Sequence, residues 1–494
     1  MKKCTVGFLF LIALGARAQD GRQLAERYCA SCHVFPAPEL LTKQVWRESV
    51  LPNMARRLGL KIGNMDYLDG KSPEERALLK KLNTYPDEAQ IGMDDWVKIQ
   101  TFYESEAPEQ AVDQKAKNAA EVQTLFRTEE LKINGIDKPN STLLFFKEEQ
   151  QTLFLGTADP SLFAIDQYQE IFSLPAVSSP PVLMQKRDST KVNLMCVGQI
   201  NPSDLSTGRV YEIDFQKGAF GILIDSLARP VDMLWADLEN DGVADLLLCE
   251  YGNNIGGLSV YKNGDPHKKE WLSLIPGARK VEVHDLNGDG LLDIVFMSCQ
   301  AREHLSVFYN LGEGQFEEKE VLTFNPAMGL SYFEMQDFNR DGHLDILLSN
   351  GDNWDYSSIH KAFHGIRIYL NDGADNFEEA WFYPQYGTIK SMATDFDQDG
   401  DLDIVSIAFY DNLEKPEEQF LYFENLGELK FKASFLPESA KGKWICMELA
   451  DKDGDGDTDV FLGSYLHSMQ EYTQLLFQGL KDFPNVLILE NTVK

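Results

Sequence analysis

The sequence predicts a multidomain protein in which a small all-α domain precedes an all-β propeller of seven blades. Three observations support this fold class. The chain has 494 residues, too many for one ordinary hydrophobic core. Apolar residues recur at helical spacing up to residue 106, and short strand-like runs follow a polar stretch. Five acidic nine-residue segments then recur at intervals of 48 to 58 residues, a period typical of propeller blades or solenoids.

The composition describes an acidic globular protein. The chain carries 78 acidic and 46 basic residues, a formal charge of -32, and 43% of its residues are hydrophobic. This content is sufficient for sizeable cores. The negative charge argues against nucleic acid as a partner and favours bound cations or simple solubility.

Residues 1–18 have the pattern of a secretory signal peptide. Two lysines precede an apolar run from Val6 to Gly15, and Ala16-Arg17-Ala18 forms a small-x-small cleavage site. A retained N-terminal anchor is the alternative, but the apolar run is too short to cross a bilayer. We therefore expect an exported protein, periplasmic or on the outer surface, with no transmembrane segment in the mature chain.

The segment Cys29-Ala30-Ser31-Cys32-His33 carries the clearest chemistry. Its C-x-x-C-H spacing can hold a haem, a zinc ion or a redox disulfide. A structural zinc site needs a further cysteine or histidine, and residues 34–106 contain neither. A thioredoxin-like site calls for a βαβ surround, whereas the flanks here have helical periodicity. A haem attached to Cys29 and Cys32, with His33 as an axial ligand, is the favoured interpretation.

Three helices are predicted around this motif. Residues 20–33 form the first, Ser72 caps the second, and Asp94 caps the third, in which Trp96 lies on the apolar face. This helical module, residues 19–106, resembles class I cytochrome c. The resemblance implies that the first and last helices cross beside the haem.

The sixth haem ligand has three candidates among the methionines. Met54 follows a proline-containing turn in "VLPNMARRLG", a stretch that looks like the axial-ligand segment of bacterial haem-propeller fusions, and this favours Met54. Met65 remains a competitor. Met93 opens the last helix, where packing is the more common role of a methionine.

Residues 107–123 are polar and read as a linker, and residues 124–494 read as the propeller.

The five acidic loops each have an acid or amide at positions 1, 3 and 5, glycine at position 6 and aspartate at position 9. Alternate side chains of such a loop can converge on one cation, while position 7 offers its carbonyl. An EF-hand would need glutamate at position 12, which no copy has. The pattern predicts five calcium loops between strands, with simple Asp-Gly hairpin turns as the alternative.

The predicted calcium ligands are, loop by loop, Asp237, Glu239, Asp241, Val243 and Asp245; Asp285, Asn287, Asp289, Leu291 and Asp293; Asp337, Asn339, Asp341, His343 and Asp345; Asp395, Asp397, Asp399, Asp401 and Asp403; and Asp451, Asp453, Asp455, Asp457 and Asp459.

The strands around each loop repeat as well. One unit reads strand, acidic loop, strand, variable loop, strand, Asn/Gly turn, strand. It closely resembles the FG-GAP (VCBS) repeat of integrin-type β-propellers over about residues 226 to 480, which implies a four-stranded blade. Blade-like strands without the acidic loop precede this region, and counting them gives seven blades.

The haem predicts electron transfer to or from a redox partner protein. The variable loops emerge on the face opposite the calcium loops and carry polar and aromatic residues suited to a glycan, another small polar ligand or a quinone. We expect the propeller to bind or dock such a ligand or partner. The alternative is a sugar or alcohol dehydrogenase that passes electrons to the haem. No cofactor-specific motif supports it, and a fold alone does not make an enzyme.

Overall fold

The computed structural model describes residues 20–62, 68–114, 121–166, 171–174, 177–352, 359–409, 415–477 and 479–493. The predicted signal peptide and Met65 lie outside these residues. Among the described residues, no helix combines the length and the apolar character needed to cross a membrane.

The N-terminal part of the chain, residues 20–106, we call the helical unit; its described residues, 20–62 and 68–106, contain four short helical segments. Helix α1 covers residues 20–28, α2 is a continuous run of Lys43–Val45, the π-helical Trp46–Val50 and Leu51–Arg57, α3 is Pro73–Lys81 and α4 is Met93–Glu106. Single 3-10 turns lie at Cys29–Ser31 and Pro38–Leu40. The assignment of this unit as a cytochrome c domain stays a prediction.

Two residues, Ser72 and Asp94, were predicted to cap helices; the prediction is correct for Ser72 and wrong for Asp94. Ser72 caps α3 as expected, because its hydroxyl accepts the N–H of Glu75 while the Glu75 carboxylate accepts the N–H of Ser72. Asp94 does not cap α4. That helix begins at Met93 after Gly92, and Asp94 lies inside the first turn, where a negative charge favours the helix dipole.

A buried aromatic pair organises the helical unit. The rings of Trp46 in α2 and Tyr103 in α4 have centroids 4.2 Å apart. Trp46 Nε1 donates to the carbonyl of Pro38 and the Tyr103 hydroxyl donates to the carbonyl of Pro36, both over 2.8 Å. These two bonds fix the segment that follows His33 against the core of the unit.

Within the described residues seven sheets form the propeller, which confirms the predicted blade count; each has four antiparallel strands, and one has a fifth, parallel strand added. Blade 1 has β3 (Ser141–Lys147), β4 (Thr152–Thr157), β5 (Ser161–Ile165) and β6 (Ile171–Ser173). Blade 2 has β7 (Pro181–Lys186), β8 (Lys191–Cys196), β9 (Gly208–Asp214) and β10 (Ala219–Leu227). Blade 3 has β11 (Pro230–Ala236), β12 (Asp245–Glu250), β13 (Gly257–Tyr261) and β14 (Lys269–Ser273).

The remaining blades follow the same order of strands. Blade 4 has β15 (Ala278–His284), β16 (Asp293–Ser298), β17 (His304–Gly312) and β18 (Gln315–Thr323). Blade 5 has β19 (Leu330–Gln336), β20 (Asp345–Asn350), β21 (Gly365–Asn371) and β22 (Phe377–Pro384). Blade 6 has β23 (Thr388–Thr394), β24 (Asp403–Ala408), β25 (Phe420–Asn425) and β26 (Phe431–Phe435). Blade 7 has β27 (Trp444–Ala450), β28 (Asp459–Ser464) and β29 (Val486–Asn491), and a helix α5 (Met469–Phe477) lies between its last two strands.

Two strands from the start of the propeller region close the ring. Strand β2 (Phe126–Leu131) pairs with β29 as the outermost strand of blade 7, and β1 (Glu121–Val122) pairs in parallel with β26 of blade 6. The first strand therefore begins inside the range 107–123 predicted as a linker. Joining strands from the start and the end of the propeller region in one blade closes the ring.

The chain direction separates the loops into two faces. In blades 3 to 7 the acidic loop joins the first and second strands, and the variable loop joins the second and third. Because neighbouring strands are antiparallel, the two kinds of loop lie at opposite ends of the blade. The second strands of these five blades are buried along their whole length, and they fix both loops to the core.

Candidate functional site

The C-x-x-C-H segment lies where α1 ends. The helix runs to Tyr28, and Cys29 begins a 3-10 turn that ends at Ser31. Cys29 is half-buried and packs against the core of the helical unit, whereas Cys32 is exposed. The two thiols therefore lie on one short turn but differ in their exposure to solvent.

The environment of Cys29 is unlike that of a redox-exchange thiol. Burial raises the pKa of the Cys29 thiol to about 11, although a hydrogen bond with Tyr103 opposes the shift. Thiol–disulfide exchange needs a thiolate, which a lowered pKa supplies. Cys29 is thus held in its protonated form at neutral pH.

The imidazole of His33 has the tautomer and the neutral charge that metal binding requires. Its Nδ1 atom lies 2.8 Å from the carbonyl oxygen of Val34. A carbonyl only accepts, so this bond requires a proton on Nδ1 and leaves the lone pair on Nε2. Burial lowers the pKa of His33, which keeps the ring neutral at pH 7.

The candidate methionines have different surroundings. Met54 lies in α2 and packs, half-buried, against the same hydrophobic cluster as Cys29. Met93 is 51% exposed at the start of α4. The structure therefore brings Met54 to the core that borders the motif and leaves the side chain of Met93 largely in solvent.

Within the described residues, two sets of three metal-binding side chains converge, Asp395 with Asp397 and Asp399, and Asp451 with Asp453 and Asp459. The ligand atoms of each set lie within 4.8 Å of one another. Both sets belong to acidic loops of the propeller. Neither set contains a residue of the C-x-x-C-H segment.

The helical unit packs on the variable-loop face of the propeller. Ala327 and Ile359 of the propeller join the hydrophobic cluster of the unit. Arg302 Nε, in the variable loop of blade 4, donates to the carbonyl of Cys32 over 3.0 Å. The C-x-x-C-H segment is therefore in direct contact with the propeller.

Further hydrogen bonds cross the same interface. In α3, Glu75 Oε1 accepts the hydroxyl of Ser203 at 3.1 Å and the N–H of Asp204 at 3.4 Å. Arg57 Nη2 donates to Asn254 Oδ1 over 3.2 Å. After α4, Gln114 Nε2 donates to the carbonyl of His364 over 2.8 Å. The contacts thus reach the propeller from three separate parts of the N-terminal region.

The five acidic loops share one backbone conformation. Position 4 has φ between 53° and 81°, and the glycine at position 6 has φ between 82° and 100°. In every loop the position-1 carboxylate accepts the N–H of position 6, and the position-5 carboxylate accepts the N–H of position 7. The φ of position 6 lies beyond the 53–61° that Asn240, Arg340 and Gln398 adopt at position 4, and glycine reaches such values without strain.

Asp457 stands out within the last loop. Its side chain is only 6% exposed, and neither carboxylate oxygen has a hydrogen-bond partner. Burial, followed by repulsion from Asp455 and Asp459, raises the pKa of Asp457 to about 7. Burying a carboxylate without a partner is costly, and a bound cation would offset that cost. The sequence assigned only the carbonyl of this residue to calcium.

The position-9 aspartates are buried at the start of each second strand. In all five blades one carboxylate oxygen accepts the backbone N–H of an asparagine at or near the end of the third strand, at 2.7–2.9 Å. These partners are Asn263, Asn310, Asn371, Asn425 and Asn491. The position-9 carboxylates therefore connect the acidic loop to the neighbouring hairpin, in addition to the calcium role predicted for them.

The sequence analysis did not identify the structural role of these asparagines. The side chain of Asn310 donates to the carbonyls of Leu292 in its own blade and Leu238 in the preceding blade, at 3.1 and 2.8 Å. Asn491 likewise spans blades 7 and 6. The repeated Asn/Gly turn in the sequence was the available signal.

Charged residues on the innermost strands link neighbouring blades. Lys280 pairs with Glu282 over 2.7 Å. Burial raises the pKa of Asp232 to about 6 and that of Glu448 to about 7. Four carboxylates each accept a backbone N–H from the next inner strand, namely Asp232 from Val281, Glu282 from Met335, Glu334 from Ala393 and Glu448 from Phe146. The innermost charges thus hold the blades in their order around the ring.

Comparison with known proteins supports the repeat assignment. Residues 285–348 and 395–462 match the family model described as an FG-GAP-like repeat. No curated protein matches the chain. Two similar solved structures are the Pan2 WD40 domain of Neurospora crassa and BBS1N in complex with ARL6DN. Each is 10% identical with a TM-score of 0.44, and they cover 76% and 75% of this chain and 98% of their own chains.

Proposed function

Starting from a seven-bladed propeller with FG-GAP-like repeats, we propose that this protein is an exported c-type cytochrome. A haem held by Cys29 and Cys32, with His33 and Met54 as axial ligands, supplies reversible one-electron transfer when bound. The observation that carries the proposal is the C-x-x-C-H spacing at the end of α1. The propeller docks the helical unit and presents it to a redox partner protein.

The residues of the motif fit a covalent haem in three respects. Both cysteines are free thiols on one turn, as two thioether bonds to one porphyrin require. The Nδ1 bond of His33 to Val34 orients the ring and leaves Nε2 for iron. Met54 borders the same apolar cluster as Cys29, and a methionine thioether is a ligand that raises the haem potential.

We also propose that the five acidic loops bind calcium. Oxygen ligands on alternating positions suit this hard cation. The two convergent aspartate sets and the buried, unpartnered carboxylate of Asp457 support the proposal. Bound calcium would offset the repulsion among these carboxylates and stabilise the blades.

The test is covalent haem attachment. The full-length protein would be expressed in a host with a cytochrome c maturation system, and haem would be detected on denaturing gels and by the pyridine haemochrome spectrum. We expect stable haem in the wild type and its loss in Cys29→Ala and Cys32→Ala. Cys196→Ala, a buried propeller thiol, is the control that should keep its haem. A wild type without covalent haem would refute the proposal.

A second arm tests the role of the propeller. Sugars and alcohols would be added to the haem-loaded protein with calcium and a quinone cofactor while the visible haem bands are followed. A haem that stays oxidised, yet reduces with dithionite, supports electron transfer with a docking propeller. Substrate-dependent reduction would show instead that the propeller is a dehydrogenase.

A further inference from the structure

The contact between Arg302 and the C-x-x-C-H segment is the starting observation. Arg302 Nε donates to the carbonyl of Cys32 over 3.0 Å. Arginine presents five N–H groups and a charge that persists at all accessible pH values. The contact thus places a permanent positive charge of the propeller beside the residue that precedes His33.

The loop that carries Arg302 is anchored by the two residues that follow it. The carboxylate of Glu303, which is 4% exposed, accepts the N–H of Gly329 at 3.1 Å and of Leu330 at 2.8 Å. His304 Nδ1 lies 3.1 Å from the carbonyl of Arg302 itself. The backbone of Arg302 is therefore fixed by buried neighbours, although its side chain is exposed.

We infer that Arg302 is a positioning residue of the propeller that raises the reduction potential of the haem held at Cys29 and Cys32. This inference rests on the proposed haem. It assigns the propeller a direct part in electron transfer, beyond carrying the helical unit.

The physical reason is the charge of the iron. Reduction lowers the positive charge of the haem by one unit, so a nearby cation destabilises the oxidised form more than the reduced form. The hydrogen bond to Cys32 keeps the guanidinium next to the motif. Because the Arg302 side chain is exposed, solvent screening limits the effect to a modest size.

The experiment measures the midpoint potential of the full-length, haem-loaded protein by optical redox titration. In Arg302→Leu we expect the midpoint to fall, so that the ratio of reduced to oxidised haem at a fixed potential drops about threefold, the size expected for one partly screened charge. Arg302→Lys retains the charge and should recover most of the wild-type midpoint. A purely structural role would not predict this rescue.

Two controls separate charge from docking. Arg47→Leu removes a charge of the helical unit that pairs with Glu104, and Asn254→Ala removes the interface bond to Arg57. Both should leave the midpoint unchanged. An unchanged midpoint in Arg302→Leu, or an equal fall in either control, would overturn the inference. Absence of covalent haem in the wild type would instead refute the proposed function, so the two failures are distinguishable.

Discussion

The two faces of the propeller are built in opposite ways. On the acidic-loop face, five loops repeat one backbone conformation and one pattern of hydrogen bonds. On the variable-loop face the loops differ in length and sequence, and single residues such as Arg302, Asn254 and Ser203 contact the helical unit. Repetition suits a task that each blade performs alike, such as holding a cation, whereas variety suits contact with one particular surface.

Calcium removal tests the repeated face with the largest expected effect, because it acts on five blades together. At a hundredfold excess over its Kd, a ligand contributes about 2.7 kcal/mol per site. For a propeller of this size we expect the melting temperature to be higher by about 10–15 °C in calcium than in chelator. Calorimetry would measure it, with magnesium as the control cation. Equal melting temperatures in calcium and chelator would contradict the calcium proposal.

A pair of substitutions in the loop of blade 6 compares the aspartate at position 9, Asp403, with the aspartate at position 5, Asp399. Asp403 is fully buried and accepts the N–H of Asn425 and the hydroxyl of Tyr422, each at 2.8 Å. Asp403→Ala leaves both donors unpaired, so we expect a loss of about 3 kcal/mol in urea unfolding with chelator present. Asp399 is exposed, and Asp399→Ala should cost less than about 1 kcal/mol there while weakening calcium binding. Similar losses in both variants would show that position 9 is not a structural anchor.

The variable-loop face should respond to pH through Glu303. Burial raises the pKa of Glu303 to about 8, so the folded protein retains a proton that the unfolded chain loses above about pH 4.5. Such a group lowers stability as the pH rises from about 4.5 to 8. Glu303→Gln cannot titrate, so its stability relative to the wild type should rise by on the order of 2 kcal/mol between about pH 5.5 and 8.5. Its amide nitrogen cannot accept the N–H bonded to the second carboxyl oxygen, and this adds a cost that is the same at both pH values.

Urea unfolding at the two pH values measures this gain. Glu318→Gln, which replaces an exposed glutamate on β18 of the same blade and keeps Glu303, is the matched control and should differ from the wild type by the same amount at both pH values. A gain for Glu303→Gln that is the same at both pH values would contradict the raised pKa.

The smallest expected effect concerns a single interface bond. Ser203→Ala removes the hydroxyl that donates to Glu75, and one such bond contributes about 1 kcal/mol. We expect faster hydrogen exchange in α3, measured by mass spectrometry, with little change in the blades. Ser105→Ala, which removes a bond within α4, is the control. Unchanged exchange in α3 would mean that this bond does not hold the helical unit to the propeller.

Local sequence patterns predicted several local features correctly and one helix cap incorrectly. The capping of α3 by Ser72 depends on residues three apart, and the blade count follows from a repeat that each blade satisfies within itself. The cap at Asp94 was wrong because the backbone turns into the helix one residue earlier, after Gly92. Helix boundaries are sensitive to such small shifts, since several neighbouring residues can serve as the first turn.

The candidate site also combines features that the local sequence predicts with features that only the tertiary structure reveals. Sequence spacing alone brought together Cys29, Cys32 and His33, because they lie within one turn. It could not show that Arg302, 270 residues later, donates to Cys32. Nor could it show that Asp457 is buried without a partner, since burial depends on the packing of neighbouring strands.

The sequence by itself determined the C-x-x-C-H motif, the acidic repeat and the four-stranded unit, because each is encoded in residues close along the chain. Only the tertiary structure decided that β2 completes the last blade, that buried asparagines and carboxylates link neighbouring blades, and that the helical unit rests on the variable-loop face. These features join residues that are distant in sequence. Their pairing depends on ring closure and surface fit, which no local pattern specifies.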